Sequence, residues 1–406
     1  MVANFVSILG TRMSLLALPW FVLVTTGSAA KTGLIAFAEM APYVAVQGLG
    51  GPLVDRYGTR RVAIATDVAA AVAFGAIPVL YASGSLSLGA VAGLVAAAGA
   101  VRGAGDSARH VLLPGVAERA GTPIERASGL YDGVSRAAGM IGAPLAGVLI
   151  TVTSASVVIA LDAATFVVSA VLVSLLVPPS AQPPSPDNPA AGAATSEVRY
   201  LESLREGFAH LRADRVLLGI AFMVLVTNLL DQSFSSVLAP VWSRDVTGSP
   251  VALGLMAAAM GLGALLGNSV TTWLGPRMPR RRVYAWGFLI AGCPRYFALA
   301  ALSSASPVLA VAFIAGVGAG GINPILGAVE YERVPRHLQA RVLGALGATA
   351  WAGIPVGALL GGALVDVIGL RAALLAAGCA YLVTTLAPFV FPAWRGMDRP
   401  AAAPSA

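Results

Sequence analysis

The chain is a near-continuous succession of apolar runs, each about 20 residues long, broken only by short clusters of Gly, Pro, Ser and Arg. Runs of that length cross the hydrocarbon core of a bilayer as helices, because a helix pairs every backbone N–H and C=O within itself. Repeated along a whole chain, they leave one fold class, an all-α integral membrane protein. Composition agrees, with 57% of residues hydrophobic and only 11% charged. Too little polar surface remains for water to be the solvent.

The punctuation predicts twelve transmembrane helices. The first six run over Asn4 to Thr25, Gly33 to Val54, Val62 to Ala82, Leu86 to His110, Ala127 to Thr153 and Ser156 to Val177. The second six run over Val216 to Val241, Pro250 to Trp273, Val283 to Leu302, Pro307 to Tyr331, Ala340 to Val365 and Leu370 to Phe391. Between them, PPSAQPPSPDNPAAGAATSE from Pro178 to Glu197 is too rich in proline to build a core and reads as a semi-extended linker. The following residues place Tyr200, Leu201, Leu204, Phe208 and Leu211 at helical spacing among charges, which predicts an amphipathic helix on the membrane surface. The expected organisation is a six-helix bundle over 1–177, a linker with that helix over 178–215, a second bundle over 216–392 and a tail over 393–406.

Basic residues orient the chain, since short loops rich in Lys and Arg stay in the cytoplasm. One set of predicted loops holds Arg56, Arg60, Arg61, Arg109, Arg119, Arg126, Arg277, Arg280 to Arg282, Arg333, Arg336 and Arg341; the opposite set holds only Lys31, Arg244 and Arg371. Both termini are therefore expected in the cytoplasm of a bacterium, with the chain in its inner membrane. The first run is long enough to span and has no basic leader, so it is expected to stay as an anchor rather than be cleaved. The net charge of +7 follows from the loop bias and gives no ground for nucleic-acid binding.

Several function classes drop out. Cys293 and Cys379 fall inside spans, and His110, His210 and His337 sit at span ends without ligand spacing, so no metal site, cofactor or catalytic constellation is expected. Lys31 lies in a short loop and follows no phosphate-cradling glycine pattern, which excludes an ATP-driven pump. GVGAGG over Gly316 to Gly321 matches a dinucleotide fingerprint by letter, but it sits in an apolar span and reads as close helix packing.

The most specific local pattern is GGPLVDRYGTRR, Gly50 to Arg61, between the second and third spans. Gly51 would allow close helix approach, Gly58 a tight turn, and Asp55 a favourable contact with a neighbouring helix N-terminus. The stretch resembles the signature loop of the major facilitator superfamily. GGALVDVIGLR, Gly361 to Arg371, repeats it at the end of the eleventh span, as nested inverted repeats would. This second copy lacks the basic run, which speaks against a gating role. Further likeness lies in LALPWFVLVTTGS near Leu16, LLPGVAERAGTPIERASGL near Leu112, GAPLAGVLI near Gly142, LDAATFVVSAVLV near Leu161, GAGGINP near Gly318 and VPRHLQARVLGALG near Val334. These are closest to the drug-antiporter branch with macrolide-efflux and enterobactin-exporter proteins, although Ala143-Pro144 stands where the antiporter motif has a Gly-Pro pair. The resemblance implies the major facilitator fold of two pseudo-symmetric six-helix bundles, secondary transport, and a gating loop of Gly51, Asp55, Arg56, Gly58, Arg60 and Arg61. In that family Asp55 and Arg56 would stabilise the cytoplasmic closure. It also implies that the first, fourth, seventh and tenth spans line the cavity.

Ionisable groups deep in a bilayer are costly and persist only with a partner, a water cavity or a function. Arg12, Arg102, Asp231 and Arg295 are such groups, and Glu39 and Asp162 are weaker candidates. Asn228, Asp231 and Gln232 return to one helix face and make the leading substrate or proton site; the alternative is that Asp231 simply neutralises Arg12 or Arg295. Arg102 and Asp106 are spaced for an intrahelical pair, and Asn323-Pro324 would kink the tenth span at a cavity wall. The expected substrate and proton cavity is thus Arg12, Glu39, Arg102, Asn228, Asp231, Gln232 and Asn323. The expected function is proton-coupled export of a hydrophobic or amphipathic small molecule by alternating access, not enzymatic catalysis. An importer of a small solute and a non-transporting membrane sensor or scaffold remain alternatives. The expected partners are the small molecule, protons and the lipid bilayer, with no nucleic acid, and the chain is expected to act as a monomer.

Overall fold

A computed structural model describes residues 1–49, 57–177 and 205–398. The described residues are helical and contain no strand. The first half supplies α1 (Val2–Thr26), α2 (Ala29–Leu49), α3 (Thr59–Ala82), α4 (Leu88–Arg119), α5 (Ile124–Val152) and α6 (Ala155–Leu176). The second half supplies α7 (Arg215–Thr247), α8 (Val251–Leu274), α9 (Arg280–Ala291), α10 (Cys293–Ala301), α11 (Ala305–Arg333), α12 (Gln339–Ile368) and α13 (Leu370–Val390). Among the described residues, 10 helices are long and apolar enough to cross a membrane. The other two predicted spans correspond to α2 and to the consecutive pair α9 and α10. Gly51, Asp55 and Arg56 of the predicted gating loop, the linker and the start of the predicted amphipathic helix lie outside the described residues; 205–213, at the end of that stretch, are helical.

Boundaries follow local chemistry. Ser87 caps α4 by accepting the Ala90 N–H at 3.1 Å, and Ser154 caps α6 by accepting the Val157 N–H at 3.3 Å. Gly58 precedes α3 with φ of 84°, the left-handed backbone that its place in the signature predicts. Arg60 closes the far end of α6: its Nε and Nη2 donate to the Val177 and Ser174 carbonyls at 2.5 and 2.6 Å, satisfying acceptors that a helix C-terminus leaves open.

Three predicted spans depart from simple helices. The seventh runs on to Thr247 and contains two π-helical turns, Phe234–Leu238 and Ser243–Thr247. Pro240 supplies no N–H to the first of these turns, and Gly248, with φ of 64°, ends the second. The ninth breaks at Gly292, where a Cβ would collide with the Tyr381 ring and Pro294 cannot donate to the preceding turn. The tenth bends at Gly321, two residues before Asn323-Pro324.

The chain divides into two compact units. The first comprises Met1–Pro189, Gln232–Ala258 and Ile354–Leu370; the second comprises Ala190–Asp231, Ala259–Gly353 and Arg371–Ala406. In the second, the GVGAGG run works as close packing. A Cβ at Gly316 or Gly320 would strike the carbonyls of Met260 or Ala264 on α8, and one at Gly318 would stand 2.8 Å from the Gly287 carbonyl on α9.

The second unit is tied at one end by Asp214. Its carboxylate accepts the Val216 and Leu217 N–H groups at 2.8 and 3.2 Å, capping α7, and accepts Arg333 Nε and Nη2 at 2.9 and 3.1 Å. Arg333 also donates to the Gly396 carbonyl at 2.8 Å, which seats the short helix Pro392–Met397. Trp394 from that helix stacks on Tyr284 at 5.8 Å and Met397 is buried. Partial burial alone would raise the Asp214 pKa, but the donors from Arg333, Leu217 and Val216 outweigh it and hold the carboxyl below its usual range. A depressed carboxylate contributes stability above its unfolded pKa and loses it as pH falls through the folded one. Asp214→Ala is therefore expected to cost about 1 to 2 kcal/mol. Asp214→Asn should flatten the acid limb of stability against pH. Thermal unfolding of the purified protein between neutral and acid pH checks both.

Candidate functional site

In the first unit the charge sits at the packed faces of α2, α3 and α4. Glu39 on α2 is only 4% exposed, and Arg102 on α4 donates to its Oε1 at 2.5 Å. The Arg102 guanidinium stands 5.6 Å from the Tyr43 ring centroid and 6.0 Å from that of Phe74, within cation–π range. Two glycines make this possible: a Cβ at Gly99 would collide with the Glu39 carbonyl, and one at Gly103 would stand 2.6 Å from that of Tyr43. Glu39 also lines a small cavity of about 10 Å³, room for one water, with Thr32, Gln232 and Ser236.

This arrangement corrects the expected pairing of Arg102 with Asp106. The partner across the helix interface wins over the one a turn away because enclosed Glu39 would otherwise be an uncompensated buried charge, whereas Asp106 has other donors. Asp106 instead accepts the Tyr43 hydroxyl at 3.0 Å and Arg109 Nη1 at 3.1 Å. Arg109, read from sequence as a loop residue, lies within α4 and is largely covered, its side chain 11% exposed. It also bridges to Asp67 on α3, whose second oxygen accepts Ser169 of α6 at 2.7 Å. Asp67 is a functional-site candidate that the sequence reading passed over, although a lone carboxylate between apolar neighbours in a span was the available signal. Asp162 on α6 is fully buried and accepts the Thr165 hydroxyl at 3.2 Å.

Arg12 does not join the pairs. It is exposed on α1 and lies along α5, where Gly139 and Gly142 leave room for its side chain.

In the second unit Arg295 plays the part that Arg102 plays in the first. It sits on α10 just after the Gly292 break and donates Nη2 to Asp231 of α7. Its guanidinium lies 5.6 Å from the Tyr296 ring centroid and 6.0 Å from that of Tyr381, with the Met260 sulfur at 4.0 Å. The Asp231 side chain keeps 39% of its surface accessible while that of Arg295 keeps 8%. Of the two partners weighed for Asp231, Arg295 is the one present.

The other predicted residues have separate partners. Asn228 Nδ2 donates to the Ala350 carbonyl of α12 at 2.8 Å, and Gln232 Nε2 donates to Ser236 at 2.6 Å. Asn323 is exposed on the far side of the Gly321 bend. Among the described residues, no group of three or more His, Cys, Asp and Glu side chains is arranged to hold a metal ion.

Removing one partner of a buried pair leaves an uncompensated charge, whereas removing both does not. Arg102→Met is expected to lower stability by about 3 to 5 kcal/mol, and the double change Glu39→Met with Arg102→Met to recover most of it. Size-exclusion profiles and thermal unfolding of the purified variants check this.

Comparison with known proteins places these features in a family. The Major Facilitator Superfamily profile matches residues 1–232 and 220–405. The multidrug efflux pump Tap of Mycobacterium bovis BCG is 30% identical over 400 residues, covering 98% of this chain and 93% of that protein. The Tap of Mycolicibacterium fortuitum is 29% identical over 392 residues, covering 96% and 94%. Among solved structures, the nucleoside transporter NupG superposes with a TM-score of 0.76 at 14% identity, covering 96% and 98%. A bacterial homolog of the human lysosomal transporter Spinster gives 0.71 at 15% identity, covering 99% and 97%. The chain, helical in its described residues and matched by the family profile along nearly its whole length and by a relative at 30% identity, belongs to the Major Facilitator Superfamily of membrane transporters.

Proposed function

We propose that this transporter exports a hydrophobic or amphipathic small molecule in exchange for protons. Alternating access would operate between the six-helix halves 1–177 and 216–392. Both termini lie in the cytoplasm on this reading, as the basic loops require, and the working unit is a monomer. The observation that carries it is the arginine in each unit, held by one carboxylate and two aromatic rings within an apolar bundle. Such a pair is a proton-dependent latch. A proton added to the carboxylate removes the charge that compensates the arginine, and the freed cation must find another partner or water.

Asp231 is the better placed of the two carboxylates to exchange protons, since its side chain is partly accessible whereas Glu39 is enclosed. Export of drug-like compounds is supported by the relatives named multidrug efflux pumps. Aromatic and aliphatic side chains beside the pairs suit apolar substrates better than sugars or nucleosides, which need many fixed hydrogen-bond partners.

In inverted membrane vesicles, an amphipathic compound that is a substrate should dissipate an imposed pH gradient with the native protein and not with Asp231→Asn at equal expression. Absence of any effect across a broad panel would overturn export. An equal response from both proteins would keep antiport and remove Asp231 from it.

A further inference from the structure

The second copy of the signature does work that its lost basic run conceals. GGPLVD at Gly50 to Asp55 and GGALVD at Gly361 to Asp366 differ at one position in six. Asp366, near the end of α12, accepts the Ser28 hydroxyl at 3.0 Å and the Ala30 backbone N–H at 3.2 Å. Those two residues are the entry to α2, whose first N–H groups have no partner within the helix. Ser28 passes the contact on by accepting the Lys31 N–H at 3.2 Å. An anionic side chain from one half of the chain thus caps a helix of the other half, and the macrodipole of α2 adds to the attraction.

The glycines of the same hexad bring the helices close enough for this. A Cβ at Gly362 would stand 2.5 Å from the Ala29 carbonyl. A Cβ at Gly33 on α2 would strike the Ala358 carbonyl on α12, and one at Gly361 would strike the Ser233 hydroxyl on α7. Around them the same end of the first unit makes further contacts, beside an open cleft of about 590 Å³ lined by Leu23, Gly27, Arg244 and Pro250. Leu23, Ala29, Val237 and Val241 form a buried apolar cluster, the α5 and α8 backbones meet at Gly147 and Gly254, and Arg244 donates to the Gly27 carbonyl at 3.4 Å.

We infer that Asp366 is a positioning residue for the transport cycle: it latches α12 onto the N-terminus of α2 and holds this end of the pathway shut. Asp366 lies at the N-terminal end of α2, external on the orientation proposed above, and the inference rests on that alternating-access reading. Because the latch uses one carboxylate against one backbone N–H and a hydroxyl, it needs no basic run, and none is present. The polar tie between α12 and the entry to α2 is the hydrogen bonds of a single side chain rather than a network of ion pairs.

Hydrogen–deuterium exchange on the purified full-length protein in lipid nanodiscs tests this without any substrate, so its outcome is independent of whether export is correct. Asp366→Ala should speed amide exchange about tenfold over residues 28–36 and 237–250, the size expected for losing a charge-assisted cap. Asp366→Asn, which keeps an acceptor and loses the charge, should fall between Asp366→Ala and the native protein. Peptides covering residues 280–301 of the second unit should not change. Native-like exchange in Asp366→Ala, or an equal rise in every peptide including 280–301, would overturn the latch.

Discussion

The rest of this structure depends on the cost of placing charge where water cannot follow. In a hydrocarbon surround an unpaired guanidinium or carboxylate is expensive to keep, so a deep charge is favoured where a counter-charge comes with it. Glu39 with Arg102, Asp67 with Arg109, and Asp231 with Arg295 meet this demand by joining separate helices. Glycine follows from the same demand. Gly99 and Gly103 let α4 approach α2 until Arg102 reaches Glu39, and Gly292 lets the Tyr381 ring come up beside Arg295. Charge pairing sets which helices must touch, and small residues set how closely they can.

Much of the fold was legible because the bilayer writes it into composition. Run length gave the spans, and Asn323-Pro324 marked a kink that the structure places at Gly321, whereas the break at Gly292 in the ninth span was not read although Gly292 and Pro294 were there to signal it. The glycine-rich run at Gly316 read correctly as packing, since nothing around it could build a nucleotide site. The π turns of α7 were not legible. Pro240 and Gly248 lie beside them, but neither residue by itself separates a π turn from an ordinary kink or helix end.

The site was legible in its members more than in its pairings. Arg12, Glu39, Arg102, Asp162, Asp231 and Arg295 stand out in any reading that looks for charge inside apolar runs. Partner choice is a tertiary fact: Glu39 and Arg102 lie 63 residues apart, and the rule of spacing by four pointed Arg102 to Asp106 instead. Asn228 shows the reverse failure. It shares a helical face with Asp231, yet its amide is spent on the Ala350 carbonyl of α12. Arg60 illustrates a third kind of gap, since a residue marked only by the charge of its loop ends up closing the carbonyls of α6.

The two π turns of α7 have a geometric meaning beyond their irregularity. A π turn accommodates one residue more than an α turn, so each acts as a stored insertion in the helix. Relaxing one into α geometry would turn everything beyond it by about 100° and advance it by about 1.5 Å, with no hinge and no broken chain of hydrogen bonds. Both turns fall between Gln232 and Gly248, in the part of α7 that belongs to the first unit. That stretch carries Ser236 at the small cavity beside Glu39 and Val237 and Val241 in the closed apolar cluster. It is a length of helix whose side chains can be re-aimed by screw motion, as a key turns while it slides.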